Sequence, residues 1–84
     1  MSDHEFDVLD ELYFVLSFEQ LREACLLDLQ ELVPTLLALY EKGWIRVLEG
    51  VDEDAAAPVN LGDRYHEYFY LASKNGLLAH NGNE

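Results

Sequence analysis

Between Asp28 and Glu49 the hydrophobic and polar positions follow an order that predicts a helix, a stop and a strand. At roughly 100° per residue, Leu29, Leu32, Val33, Leu36, Leu37, Leu39 and Tyr40 share one side of a helix. Gln30, Glu31, Pro34, Thr35, Ala38, Glu41 and Lys42 share the other. This is the periodicity of a helix that buries one face. Asp28 followed three residues later by Glu31 has the form of a capping box. Gly43 stands where a left-handed residue ends a helix, and the charge of Lys42 suits that end of the dipole. Residues 44–49 then carry the aromatic and β-branched side chains of a strand. Pro34 breaks the pattern, because it removes one hydrogen bond and crowds the carbonyl of Gln30. Either the first turn is distorted or the regular helix begins near Val33.

The flanking segments are shorter. Residues 3–13 predict a first helix with Phe6, Val8, Leu9, Leu12 and Tyr13 on one face and Asp7, Asp10 and Glu11 opposite. Phe14, Val15 and Leu16 read as a very short strand. Ser17 caps a second helix, with Gln20 completing a capping box and Phe18, Leu21 and Ala24/Cys25 forming its buried stripe. Beyond the strand, residues 50–58 lose all periodicity, and residues 52–63 read as a flexible acidic loop. The aromatic run from Tyr65 to Leu71 predicts a strand pairing antiparallel with 44–49, although Tyr65, Tyr68, Phe69 and Ala72 also keep helical spacing. Ser73–His80 forms a short helix or turn, and residues 81–84 are expected to fray.

At 84 residues this is one small domain, residues 1–84, with a modest core. Seventeen acidic side chains against five basic ones give a formal charge of −12. That balance repels nucleic acid and anionic membranes; it most commonly serves solubility and also suits basic partners. Half the residues are hydrophobic, which sets the chain apart from acidic disordered tails. Cys25 is the single cysteine, so no internal disulfide can form and a reducing, cytoplasmic setting is expected. Its apolar neighbours mark it as a buried small hydrophobe. The N-terminal segment lacks the apolar core of a signal peptide, and no apolar run reaches the ~20 residues that span a bilayer.

The order of helix, short strand, helix, turn, helix and hairpin resembles the winged helix-turn-helix superfamily. The stretches SFEQLREAC, DLQELVPTLLALYEKGWI and FYLASKNG carry the likeness, which covers about residues 5–78. The resemblance implies an α+β winged helix, a three-helix core with a small antiparallel β-hairpin wing. It also implies that the third helix, 28–42, lies in a DNA major groove while the wing touches the backbone. A nucleic-acid contact set would then be Gln30, Thr35, Lys42 and Arg46. The exposed face of that helix has a net charge of −1 and no arginine, and Asp52, Glu53 and Asp54 would occupy the wing. Phosphate neutralisation has little to work with there.

No catalytic constellation stands out. His4, His66 and His80 are scattered, and His66 and Glu67, adjacent on a strand, would point to opposite faces and hold no ion jointly. The acids at 52–54 lack the ligand spacing of a calcium loop. No cofactor, metal, membrane contact or small-molecule substrate is indicated, and an enzyme is not expected. The pattern instead predicts a protein-interaction module in a regulatory assembly, with a DNA-binding regulator as the alternative. In a strand over 65–71, Phe69 and Leu71 should pack inward on Ile45 and Val47. Tyr68 and Tyr70, with Trp44, would then form an exposed aromatic patch for a protein partner or a second copy, unless Leu77 and Leu78 fold back over them.

Overall fold

A computed structural model describes residues 2–50, 53–54 and 61–82. Among these, five α-helices and four strands form an α+β fold. Helix α1 is Asp3–Glu11, followed by strand β1, Leu16–Ser17, and helix α2, Phe18–Cys25. Helix α3, Leu29–Glu41, leads into β2, Ile45–Gly50, and the short β3, Glu53–Asp54. A short helix α4, Leu61–Arg64, runs into a 3₁₀ turn at Tyr65–Glu67. Then come β4, Phe69–Ala72, and helix α5, Lys74–Gly82.

Local chemistry starts each of the first three helices. Ser2 and Glu5 form a complete capping box on α1, as do Ser17 and Gln20 on α2. Asp28 supplies one half of such a box, its carboxylate accepting from the Glu31 amide at 3.1 Å. Glu31 instead lies 3.7 Å from His4, so its side chain turns toward α1. Pro34 leaves α3 continuous from Leu29. Both Gln30 and Pro34 are exposed, so the carbonyl that the proline cannot serve lies on the solvent side of the helix rather than in the core.

Thr35 corrects the facing of α3. Its buried stripe is Leu32, Thr35, Leu36 and Leu39, while Leu29, Leu37 and Tyr40 are exposed. The helix is turned roughly 70° from the face that its leucines mark. A threonine tolerates the interior because its hydroxyl donates to the Glu31 carbonyl at 2.7 Å, one turn back.

The sheet has the order β1-β4-β2-β3, all pairs antiparallel. The strand expected over 65–71 is shorter and later than its composition implies, because Leu61–Glu67 is helical and pairing begins at Phe69. Residues 61–63 of the expected acidic loop belong to α4, and residues 53–54 pair as β3. The remainder of that loop lies outside the described residues. Asn81 and Gly82 of the expected frayed tail are helical, and residues 83–84 also lie outside the described set. Ile45 pairs with Ala72 and Val47 with Tyr70, and all four face the helices. Phe69 pairs instead with Leu48, and Leu71 with Arg46, on the opposite face.

Helix α3 ends in a Schellman arrangement. Gly43, at φ 75°, donates to Tyr40, and Trp44 donates to Leu39, each at 3.0 Å. The Trp44 carbonyl then accepts from the Ser73 amide at 2.9 Å, and the Ser73 hydroxyl donates to Gly43 at 2.6 Å while accepting from Gly76 at 3.1 Å. A Cβ on Gly76 would meet the Trp44 carbonyl oxygen head-on, whereas one on Gly82 would meet open space. Gly76→Ala should therefore destabilise the fold by on the order of 3 kcal/mol, lowering Tm by roughly 10–20 °C. Gly82→Ala should leave the melting curve within about 3 °C of wild type, about 0.5 kcal/mol at most. Equal melting of the two variants in a circular dichroism scan would contradict this packing.

Candidate functional site

The aromatic patch expected on the hairpin is core. Tyr68 is 3% exposed and Tyr70 fully buried. Both the parity of β4 and the preceding turn cause this. Even-numbered residues of the strand face the helices, and the turn at 65–67 places Tyr65 beside the Phe18 ring, with centroids 4.8 Å apart. Tyr70 donates its hydroxyl to the Tyr65 carbonyl, and burial raises its phenol above the ordinary range, with a further push from Tyr68. The Arg64 guanidinium lies 5.8 Å from the Tyr68 ring. Trp44, the third member of the expected patch, is half-buried, with the Lys42 ammonium 4.8 Å from its ring.

The four positions of the nucleic-acid alternative do not share a surface character. Gln30 and Arg46 are exposed, Thr35 is turned inward, and Lys42 is engaged. Its ammonium donates at 2.6 Å to Glu5, whose side chain is buried at the start of α1. Burial drives the Glu5 carboxyl upward, but the Lys42 bond, the Ser2 amide at 2.9 Å and the lysine's charge outweigh it and leave the pKa lowered.

Two other groups with chemical capacity are held in structural roles. Half-buried Cys25, rather than the fully buried residue expected, has its thiol pushed up to about 11 by burial and by the charges of Glu11, Asp7 and Asp10. His80 fastens α5 to α1. Its ring stacks on Phe6 at 4.3 Å and meets Tyr13 edge-on at 5.5 Å. Nδ1 lies 3.0 Å from the Tyr13 hydroxyl, which donates to Asn81 at 3.1 Å, and Nε2 lies 3.3 Å from Asp10. His66, expected on a strand with Glu67 on the opposite face, is in the 3₁₀ turn, 4.0 Å from the Glu67 carboxylate. Among the described residues no group of three or more His, Cys, Asp or Glu side chains could hold a metal ion, and no pocket is found. No helix among them is long and apolar enough to cross a membrane.

Apolar surface lies elsewhere. On α3, Leu29, Leu37 and Tyr40 each leave more than a third of their area in water, and Val33 between them is half-buried. Leu26, in the turn before α3, is 89% exposed. The sequence held this signal in another form: seven large apolar side chains on one helix make an arc wider than one core contact covers. Tyr13 and Phe14, exposed after α1, and Leu78 on α5 are the other large exposed apolar side chains among the described residues.

Two measurements check these assignments. Glu5 has a lowered folded pKa, so its stabilisation is present above the ordinary value of 4.5 and is lost as pH falls through the folded value. Glu5→Gln should cost about 1 kcal/mol at pH 7, after allowance for screening at the half-exposed lysine. The gap should close in acid, and a gap independent of pH would show that the carboxylate charge does not matter. At pH 8 the Cys25 thiol should react with iodoacetamide on the order of a hundredfold more slowly than a free cysteine. Alkylation of the folded protein at the free-thiol rate would show the thiol is not shielded.

Comparison with known proteins gives no family model that matches the chain, no matching curated protein and no matching solved structure.

Proposed function

We propose that this chain is a small acidic protein-interaction module with a winged-helix-like layout, in which α3 is the presented helix. The observation that carries the proposal is the apolar flank of α3. Leu29, Val33, Leu37 and Tyr40 recur at helical spacing on a strongly acidic domain, and such contiguous apolar area marks interaction sites more often than isolated exposed leucines do. Support for the layout comes from the helix-turn-helix formed by α2 and α3 and from the antiparallel pair β2 and β4 that follows. A formal charge of −12 and the engagement of Lys42 by Glu5 count against the DNA-binding alternative. A cytoplasmic setting belongs to the same proposal, on the strength of the single cysteine.

Affinity capture from a lysate of the source organism, comparing wild type with a Leu37→Ser/Tyr40→Ser variant, tests it. Both positions are partly exposed, so the variant should melt within about 1 kcal/mol of wild type and lose the proteins that wild type retains. Mixed-sequence duplex DNA at about 150 mM salt should show no gel shift. Specific micromolar retardation of a duplex would restore the DNA-binding alternative, and identical captured proteins from both variants would move the interaction surface off α3.

A further inference from the structure

We infer that the α3 flank receives a cationic amphipathic helix from a partner protein, an inference that rests on the interaction reading above. The flank is a line of four side chains, Leu29, Val33, Leu37 and Tyr40, at spacings of four, four and three residues. It extends roughly 16 Å along the axis, about three turns, which matches the anchor spacing of a facing amphipathic helix. Leu26 stands in the turn that leads into it.

Leu26 adds an independent observation. It caps α2 in the left-handed region, at φ 57°, and is the one non-glycine residue with positive φ among the described residues. Glycine or asparagine takes that conformation with less strain. A leucine here costs backbone energy and puts an apolar side chain into water with no compensating contact inside the domain. A partner's apolar face supplies that contact.

Charge selects the occupant. Residues 18–42, which hold α2 and α3, carry five carboxylates, Glu19, Glu23, Asp28, Glu31 and Glu41, against Arg22 and Lys42. Lys42 is drawn to Glu5 and Trp44. Gln30, Pro34 and Glu41 border the apolar line on its polar side and supply no positive charge. A helix with lysines or arginines flanking its apolar stripe meets Glu41, no opposing cation on this border, and the net negative field of the domain. A second copy would bring a further formal charge of −12 to the same surface, and an anionic membrane would be repelled in the same way.

Fluorescence anisotropy with labelled synthetic peptides tests the assignment at about 150 mM salt. The probe is a leucine–lysine peptide of about fourteen residues, with leucines at helical spacing. One control permutes the same residues so that no apolar face forms, and another replaces every lysine with glutamate. The patterned cationic peptide should bind at least about tenfold more tightly than either control. Leu37→Ser/Tyr40→Ser should weaken it about tenfold, and Leu26→Gly should weaken it while leaving Tm unchanged or raised, since it removes strain and an anchor together. Phe14→Ser, between α1 and β1 and outside α2 and α3, should bind as wild type does.

Equal binding of the permuted peptide would reduce the effect to bulk charge and overturn the inference. So would equal binding of the glutamate peptide, or unaltered binding by the two α3-flank variants. A dimer seen by sedimentation and lost in Leu37→Ser/Tyr40→Ser would make a second copy the occupant instead. If wild type captures lysate proteins through Leu37 and Tyr40 but the cationic peptide fails to bind, the partner chemistry assigned here is wrong while the interaction module stands. If both fail, so does the module.

Discussion

The fold depends on one junction, where the backbone after α3 meets the backbone after β4. The Trp44 amide closes α3, and its carbonyl, one residue's length away, receives the Ser73 amide that opens α5. Gly76 allows the two segments to approach within the space a methyl group would need. These bonds fix where β2 leaves its helix relative to where β4 enters its own, and so hold the register that sets Val47 opposite Tyr70. A second tie from the Ala72 amide to the Leu12 carbonyl, at 2.9 Å, brings the end of α1 to the same strand. The three principal helices and the central strands are thereby referred to one small region of backbone.

Much of this was legible from the residues. Ser17 with Gln20, Asp28 before an apolar run, and Gly43 after Lys42 are local signals whose chemistry is complete within a few residues, and each helix boundary they mark is present. Ser73 and Gly76 were visible as a turn, but their partner at Trp44 is distant in sequence, so the reason for the glycine was not. The facing of α3 and of β4 differs from the pattern for a shared cause. The apolar arc of α3 is wider than one contact covers and both faces of β4 carry large apolar side chains, so only their neighbours decide which part is covered. On α3, Thr35 displaced leucines from the interior because its hydroxyl finds a partner within its own helix. On β4, both parities carry aromatics, and the helical turn at 65–67 settled the matter by placing Tyr65 over Phe18.

The same ambiguity separates the expected interaction surface from the one now proposed. Tyr68 and Tyr70 hold the sheet to the helices, and α3 carries three of the large apolar side chains left exposed. Charge is distributed in keeping with that division. The buried carboxylate of Glu5 is met by Lys42, and exposed Glu67 by Arg64 at 3.1 Å. Two of the five cations are held in these pairs, and against seventeen acids the exposed carboxylates set the electrostatic field of the domain.

The sheet order has a consequence for the growing chain. β4 lies between β1 and β2, yet it is the last strand in sequence. A nascent polypeptide ending before Phe69 can form its capped helices, but β1 has no neighbour, β2 lacks its central partner, and the space filled by Tyr70 is empty. Cooperative folding therefore waits on the arrival of a four-residue strand. Until then the leucines of α1, α2 and α3 share an incomplete core.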